Sequence, residues 1–259
     1  MINNNPIGLF DSGIGGTSIW KEINAILPNE SCIYLADSKN APYGQRTKKE
    51  IIELCFKNTE FLLQQNCKII VVACNTATTN AIAELRAKYK VPFIGIEPAI
   101  KPAAINSKTH KIGILATQGT LNSALFHENV SKFSQVQIIE QVGHGLVQLI
   151  EHGDVKSNEV KQLLQQYLQP MIDANVYYLV LGCSHYPYLI PEIKKIVPAS
   201  MHIIDSGEAV AKQTHTILQS KIGFSGDQNG GRQVFYTNGN VAVLQSILKN
   251  KYTVLKKDF

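Results

Sequence analysis

The chain has 259 residues, of which 44% are hydrophobic and 17% are charged, and its formal net charge is +5. This composition excludes a disordered or fibrous chain and indicates a folded globular protein of one domain or two, with a sizeable core. No apolar run reaches the roughly 20 residues of a membrane span, and the first residues lack the basic and apolar parts of a signal peptide, so we expect a cytoplasmic protein with no membrane partner.

The lysines are scattered along the chain rather than gathered on one stripe. Nucleic-acid binding usually concentrates Lys and Arg on one face, so no nucleic-acid partner is expected. The odd number of cysteines, with no CxxC pair, argues against a disulfide framework and a zinc ribbon and favours reduced thiols. The cysteines are Cys32, Cys55, Cys67, Cys74 and Cys183.

Short apolar runs alternate with longer amphipathic stretches along the chain. The runs predict buried strands at Ile7–Phe10, Cys32–Ala36, Ile69–Ala73, Pro92–Ile96, Ile112–Ala116, Val136–Glu140, Val176–Gly182 and His202–Ile204. The stretches predict helices at Thr47–Gln65, Thr76–Lys88, Asn122–Lys132, Ser157–Ala174 and Ala209–Gln219. This alternation predicts an α/β fold with mainly parallel sheets flanked by helices.

Two stretches look like seams between domains: Glu97–Pro102 follows one predicted strand, and Asp205–Gly207 follows another with a helix-capping Ser-Gly turn. We therefore expect a first α/β domain of residues 1–97 plus 209–259 and a second of residues 98–208. The C-terminal part of the chain returns to the first domain, where we expect it to form late strands at Arg232–Tyr236 and Tyr252–Leu255.

The two halves also repeat a pattern. The run Ile69–Thr76 resembles the run Tyr178–His185: each is an apolar strand, a small residue, a cysteine and two polar side chains. Ligands of α/β folds bind at the carboxyl ends of the strands. The repeat therefore predicts two pseudo-symmetric halves that point Cys74 and Cys183 into one cleft.

Cys74 and Cys183 have two interpretations that both stay open at this point. The adjacent polar pairs, Asn75-Thr76 and Ser184-His185, can bind a ligand or tune a thiol, but polar turns at strand ends also cap helices. In an extended stretch His185 and Cys183 project to the same side, so that imidazole and thiol can exchange a proton. No metal site is expected, because further ligands with suitable spacing are absent.

The run from Asp11 to Gly16 follows the first strand and opens a helix, an arrangement that can bind an anion through backbone N–H groups. It matches neither the G-x-G-x-x-G nor the Walker A spacing, so a small carboxylate is a more natural ligand than a dinucleotide. Asp11 can orient a substrate ammonium group or relay protons for Cys74, or it can cap the helix. The run Asp37–Gly44 indicates only a loop.

Four motifs together resemble the glutamate racemase branch of the Asp/Glu racemase superfamily. They occur in the family's order and span most of the chain: Phe10–Gly16, Pro42–Gly44, Ala73–Ala77 and Gly182–Pro187. The resemblance implies two α/β domains that enclose the amino acid in the cleft between them. It also implies interconversion of L- and D-glutamate without pyridoxal phosphate or another cofactor, which supplies D-glutamate for bacterial peptidoglycan.

The same resemblance implies the roles of individual residues. Cys74 and Cys183 are the opposed acid/base thiols, Asp11 and His185 assist them, and Glu151 lies near the second thiol. The residues that the resemblance assigns to substrate binding are Asp11, Ser12, Pro42, Tyr43, Gly44, Asn75, Thr76, Thr117, Ser184 and His185. Family members commonly carry threonine at the position of Ser184, so this chain keeps the hydroxyl and loses a methyl group.

Other activities compete with this interpretation. An aspartate or hydantoin racemase shares the paired cysteines, and an amino-acid-binding protein without activity shares the cleft. A thiol redox enzyme would pair the two cysteines in a disulfide but lacks the CxxC motif. A homodimer is the default expectation for a symmetric soluble protein.

Overall fold

The computed structural model describes residues 2–259, which form two parallel β-sheets flanked by helices. The strands are β1 (Ile7–Asp11), β2 (Cys32–Ala36), β3 (Ile69–Val72), β4 (Phe93–Gly95), β5 (Lys111–Ala116), β6 (Gln137–Val142), β7 (Tyr178–Gly182), β8 (His202–Ile204), β9 (Gln233–Thr237) and β10 (Val254–Lys256). Short 3₁₀ helices lie at Ser38–Asn40, Tyr43–Gln45 and Tyr186–Leu189, and a π-helical turn at Leu218–Ile222.

The α-helices connect these strands. They are α1 (Thr17–Ile26), α2 (Lys48–Gln64), α3 (Asn75–Lys88), α4 (Ile100–Asn106), α5 (Gln118–Leu121), α6 (Ala124–Ser131), α7 (Leu146–His152), α8 (Asn158–Asp173), α9 (Ile190–Ile193), α10 (Gly207–Ile217) and α11 (Val241–Ile247). Among residues 2–259, no helix combines the length and the apolar character that a membrane crossing requires.

The two sheets share one strand order. The six-stranded sheet runs β10-β9-β2-β1-β3-β4, and the four-stranded sheet runs β6-β5-β7-β8, with all neighbouring strands parallel. The order β2-β1-β3-β4 therefore corresponds to β6-β5-β7-β8, so that β1 matches β5 and β3 matches β7. The α/β class with parallel sheets flanked by helices is confirmed, and Cys74 and Cys183 follow equivalent strands.

The central strands are buried along their length because helices cover both faces of each sheet. This holds for β1, β3 and all but the first residue of β7. The prediction of a buried strand was wrong for Val136–Glu140, because β6 is an edge strand whose residues are partly or fully exposed. It was also wrong for His202–Ile204, because β8 is the opposite edge and is only partly covered.

The turn before α10 differs from its prediction. The side chain of Ser206 does not cap the helix. Instead, Oδ1 of Asp205 accepts the Gly207 N–H at 2.7 Å, and the Ser206 hydroxyl donates to the carbonyl oxygen of Glu97. A carboxylate therefore caps the turn, and the two predicted seams are hydrogen-bonded to each other.

Candidate active site

Cys74 lies between β3 and α3, where it is the N-cap residue of the helix. Its Sγ accepts the Ala77 N–H at 3.4 Å and lies 3.6 Å from the Ser12 hydroxyl, to which it donates. The residue is only 4% exposed. The helix start thus fixes the thiol beside the loop that follows β1.

Cys183 directly follows β7 and is 6% exposed. Its Sγ lies 3.9 Å from Nδ1 of His185. The predicted contact between thiol and imidazole is present, but its expected cause was wrong: the backbone at His185 is helical, with φ −77° and ψ −32°, rather than extended. A tight turn brings the two side chains together.

Three further side chains surround His185. Its Nε2 lies 2.6 Å from Oε1 of Glu151, and its Nδ1 lies 3.9 Å from Oδ2 of Asp11. The Ser184 hydroxyl donates to Oδ1 of Asp11 at 3.1 Å. Asp11 thus makes its side-chain contacts on the Cys183 side of the site, while Ser12 makes the contact with Cys74.

Asp11 also organises the loop after β1. Its Oδ2 accepts the N–H groups of Gly13 at 3.3 Å and Gly16 at 2.9 Å. The N-cap residue of α1 is Gly16 itself, and no side chain of residues 2–259 caps that helix. The alternative in which Asp11 caps the helix is therefore not what the structure shows, since the carboxylate holds the loop from inside.

The buried charges shift one another's pKa. Burial disfavours an imidazolium, but the hydrogen bonds to Cys183 and Glu151 and the negative charges nearby hold the pKa of His185 well above its ordinary value. Burial also disfavours the Glu151 carboxylate, yet His185 outweighs it and lowers the pKa of Glu151. The two groups therefore form an imidazolium–carboxylate pair at neutral pH.

The pKa values of Asp11 and Cys74 are both raised, which favours the neutral form of each. Burial, opposed by His185 and by the amide of Gly16, raises the pKa of Asp11. Burial and the charge of Asp11 raise the pKa of Cys74, against the Ala77 and Ser12 hydrogen bonds. Cys74 thus rests as a thiol in the closed site.

Close packing joins the loop after β1 to this cluster. A Cβ atom at Gly15 would overlap the imidazole ring of His185, and one at Gly13 would overlap the Glu151 carboxylate. The N–H of Ile14 donates to Oε1 of Glu151 at 2.6 Å. Glu151, which alone would be expected to be solvated at a helix end, is instead held by the loop and by His185.

The structure brings the sequence-predicted residues to one narrow cavity. Asp11 and Glu151 lie behind its wall, against His185. The side chains and backbone that line it are those of Ser12, Pro42, Tyr43, Gly44, Cys74, Asn75, Thr76, Thr117, Val147, Cys183, Ser184 and His185. Val147 was missed because an apolar residue of an amphipathic helix carries no signal of a site.

Hydrogen bonds close this cavity between the two sheets. The Thr76 hydroxyl lies 2.8 Å from that of Thr117 and 3.2 Å from that of Thr120. Thr76 belongs to α3 and Thr117 follows β5. What remains between the thiols has room for roughly one water molecule.

Asn75 offers unused polar groups beside Cys74. Its side chain is 2% exposed, and within residues 2–259 neither its Oδ1 nor its Nδ2 has a hydrogen-bond partner. It is also the first residue of α3, a helix of 14 residues whose free N–H groups attract an anion. This corner of the cavity is suited to a substrate carboxylate.

The other three cysteines belong to the hydrophobic core, in agreement with their interpretation as small apolar residues. They are Cys32, Cys55 and Cys67. Across residues 2–259, no group of three or more His, Cys, Asp or Glu side chains is arranged to hold a metal ion.

Comparison with known proteins agrees with this geometry. The family model described as Asp/Glu/Hydantoin racemase matches residues 7–214. The chain is 44% identical to the glutamate racemase of Ralstonia pickettii over 94% of this chain and 86% of that protein. It is similar to the crystal structure of glutamate racemase isoform RacE1 from Bacillus anthracis, with a TM-score of 0.88, 32% identity and 98% of each chain covered.

A second solved structure was determined with an amino acid bound. The Escherichia coli glutamate racemase, in complex with L-glutamate and the activator UDP-MurNAc-ala, has a TM-score of 0.87 and 30% identity, with 98% of each chain covered.

Proposed function

The chain belongs to the Asp/Glu/Hydantoin racemase family, and on that basis we propose that it interconverts L- and D-glutamate by proton exchange between Cys74 and Cys183. One observation carries the proposal: two thiols at equivalent strand ends border the same closed cavity. The 44% identity to a glutamate racemase over most of the chain favours glutamate as the substrate.

The reaction requires one acid and one base on opposite faces of Cα. A thiolate at one cysteine takes the Cα proton as the C–H bond breaks, and the thiol of the other donates its proton to the opposite face. The protonation states of the two thiols are then exchanged, and the reverse reaction restores them. Because the pKa of Cys74 is raised, it is suited to donate in the first half of this cycle.

The surrounding residues supply the stabilisation that the carbanion-like transition state needs. The amide of Asn75 and the N–H groups at the start of α3 can hold a substrate carboxylate. The imidazolium of His185 lies against Cys183 and can exchange a proton with it. Closure of the cavity excludes water, which strengthens each of these interactions.

Circular dichroism tests the proposal directly. L-glutamate and D-glutamate, incubated separately with metal-free protein and no added cofactor, should each lose optical activity. Cys74→Ser and Cys183→Ser should each lower the rate by roughly a thousandfold or more, within the range for loss of an acid/base group. Cys67→Ser, the same exchange at a core cysteine, should keep the rate. Full activity in either site variant would rule out the two-thiol scheme.

The same assay separates the competing activities. Aspartate and hydantoins, tested in parallel, would reveal a racemase of different specificity. Binding of glutamate without loss of optical activity would indicate a binding protein. A mass two units lower after oxidation, reversed by reductant, would indicate a redox pair of Cys74 and Cys183.

Further properties belong to this proposal. We place the domain bounds at residues 1–97 plus 209–259 and 98–208, the protein in the cytoplasm, and its product in peptidoglycan synthesis. Rescue of a bacterial D-glutamate auxotroph by the chain, and failure of its Cys183→Ser variant, would support the last point. Sedimentation analysis tests the proposed homodimer.

A further inference from the structure

We propose that Tyr188 is a positioning residue of the active site: its hydroxyl bridges the loop after β1 and the turn after β7 and holds them in the closed arrangement. The inference rests on the proposed racemase function, because it concerns how the two halves of that site are brought together.

Tyr188 connects a turn of the four-stranded sheet to helix α1, which follows β1 of the six-stranded sheet. Tyr188 lies in the 3₁₀ helix that follows Cys183 and His185, and its hydroxyl oxygen is 2.5 Å from Oγ1 of Thr17, the first residue of α1. The ammonium group of Lys21, one turn further along α1, donates to the same hydroxyl at 3.1 Å and lies 4.7 Å from the ring centroid.

In each hydrogen bond of this group, only one of the two partners can be the donor. The Thr17 hydroxyl donates its single proton to the carbonyl oxygen of Ile14 at 2.6 Å, so it must accept from Tyr188. Lys21 can only donate. The chain of hydrogen bonds therefore runs from Lys21 to Tyr188, to Thr17 and to Ile14, and the hydroxyl of Tyr188 is both donor and acceptor within it.

This chain returns to the catalytic cluster. The N–H of Ile14 donates to Glu151, whose Oε1 also pairs with Nε2 of His185. The N–H of Tyr188 donates to the carbonyl oxygen of His185 at 3.1 Å. Loss of the Tyr188 hydroxyl therefore opens a ring of contacts that includes His185, which contacts the thiol of Cys183.

The neighbouring Tyr186 makes a different contact, so Tyr188 is the tyrosine of this turn that reaches the junction between α1 and the turn after β7. Tyr186 donates its hydroxyl to the carbonyl oxygen of Gly143 at 3.1 Å, so it fixes the turn to the four-stranded sheet's own connections. Tyr188, two residues later, fixes the same turn to α1. A second bond across the junction runs from the Ser18 hydroxyl to the carbonyl oxygen of Ser184 at 3.0 Å.

The closed arrangement must open for the substrate to reach the thiols. Cys74 and Cys183 are 4% and 6% exposed, and the cavity between them has room for roughly one water molecule. If only the closed form binds tightly, its population sets the apparent affinity. Tyr188 raises that population, whereas bound substrate itself bridges the two sides and keeps the complex closed.

Steady-state kinetics of Tyr188→Phe test this proposal. One lost hydrogen bond should lower the ratio of closed to open protein roughly fivefold. Because the closed form, with both thiols buried, predominates without substrate, this change appears mainly as more open protein, so we expect KM to rise by less than about twofold while kcat stays within about twofold. Because L- and D-glutamate have equal free energy in water, kcat/KM must change by the same factor for the two directions of the reaction. The matched control is Tyr177→Phe, since Tyr177 lies at the opposite end of β7, where its ring meets that of Tyr178 edge to face and that of His202 at a tilt.

Alkylation by iodoacetamide, read cysteine by cysteine by peptide mass spectrometry, gives a measurement that needs no turnover. In Tyr188→Phe without glutamate, Cys74 and Cys183 should be labelled about fivefold faster than in the parent protein, and saturating glutamate should remove the difference. The three core cysteines report general loosening and should keep their rates.

Lys21→Met, which keeps the stem of the side chain and removes one donor to Tyr188, should shift labelling in the same direction by a smaller factor. Labelling of Cys74 and Cys183 at the parent rate in Tyr188→Phe, or a rise at all five cysteines in both variants, would overturn the proposal. Selective labelling without any racemisation would retain the role of Tyr188 and reject the proposed function instead.

Discussion

The hydroxyl of Tyr43 donates a hydrogen bond of 2.5 Å to Oδ2 of Asp37, and both side chains are buried. Oδ1 of Asp37 accepts from Asn40 at 2.8 Å and from Asn238 at 2.5 Å. None of the ion pairs among residues 2–259 includes Asp37. Burial raises the pKa of Asp37, and the three hydrogen bonds, with a smaller contribution from the charge of Lys57, stabilise its carboxylate against that burial. The Tyr43–Gly44 segment is thereby fixed before a substrate arrives.

Tyr43→Phe should weaken substrate binding, because it removes the donor from a buried carboxylate while it keeps the ring. We expect KM to rise roughly five- to tenfold and the free energy of unfolding to fall by about 1–3 kcal/mol. Initial rates and urea denaturation measure both. Tyr89→Phe is the control, since that hydroxyl donates to the exposed Glu60 and its loss should cost less than about 0.5 kcal/mol. An unchanged KM in Tyr43→Phe would remove the positioning role of Asp37.

Racemisation in D₂O should label the product and not the remaining substrate. With two bases, the proton that enters Cα comes from the cysteine opposite to the one that removed it, and that thiol exchanges with solvent before each turnover. We expect early product to carry deuterium at Cα in nearly every molecule, as read by mass spectrometry after chiral separation. Early product that keeps the original hydrogen would indicate a single base that acts on both faces.

Glu151→Gln should destabilise the protein in a pH-dependent way. The folded-state pKa of Glu151 is lowered, so its contribution is present above the ordinary value near 4.5 and is lost as pH falls through the lowered value. The pKa of His185 is raised, so its contribution is present below about 6.5 and is lost as pH rises through the raised value. Both contributions to the free energy of unfolding are therefore present together between about pH 4.5 and about pH 6.5.

Thermal unfolding at several pH values checks this dependence. The difference in Tm between the parent protein and Glu151→Gln should be largest near pH 5–6, at roughly 5–10 °C for a loss on the order of 3 kcal/mol, and should shrink towards pH 3. A difference that is independent of pH over this range would show that the two groups are not an ion pair.

Gly15→Ala should abolish activity by displacing the imidazole of His185, because the added methyl group would overlap the ring. The comparison is Gly230→Ala, where φ is +90° and the surroundings are open, so the cost is backbone strain of about 1 kcal/mol. We therefore expect a large loss of kcat/KM in the first variant and a small loss of stability with full activity in the second. Equal activity of the two variants would contradict the close packing at Gly15.

The sequence patterns predicted where the strands lie and that Cys74 and Cys183 follow strand ends, because both signals are local. Apolar runs identify β3 and β7, and the polar pairs after Cys74 and Cys183 mark where each strand ends. The partners of Tyr43 and Tyr188 could not be predicted in this way. Thr17 and Tyr188 are 171 residues apart in the chain, and only the packing of α1 against the turn after β7 brings their hydroxyls together.

Edge positions were mispredicted for a related reason. An apolar run shows that a segment suits a strand, but the number of its neighbours in the sheet depends on strand order. Strand β6 (Gln137–Val142) has a neighbouring strand, β5, on one side only, so its residues are partly or fully exposed to solvent.

The hydrogen bond from Ser206 to Glu97 has a mechanical consequence. The chain passes from the six-stranded sheet to the four-stranded sheet after β4 and back after β8, and this bond fastens the two passages side by side. Because both connections between the sheets lie together at this bond, we expect the sheets to move relative to each other by rotation about it rather than by sliding. We expect such a rotation to separate Cys74 from Cys183, and the same opening would admit either mirror-image form of the substrate.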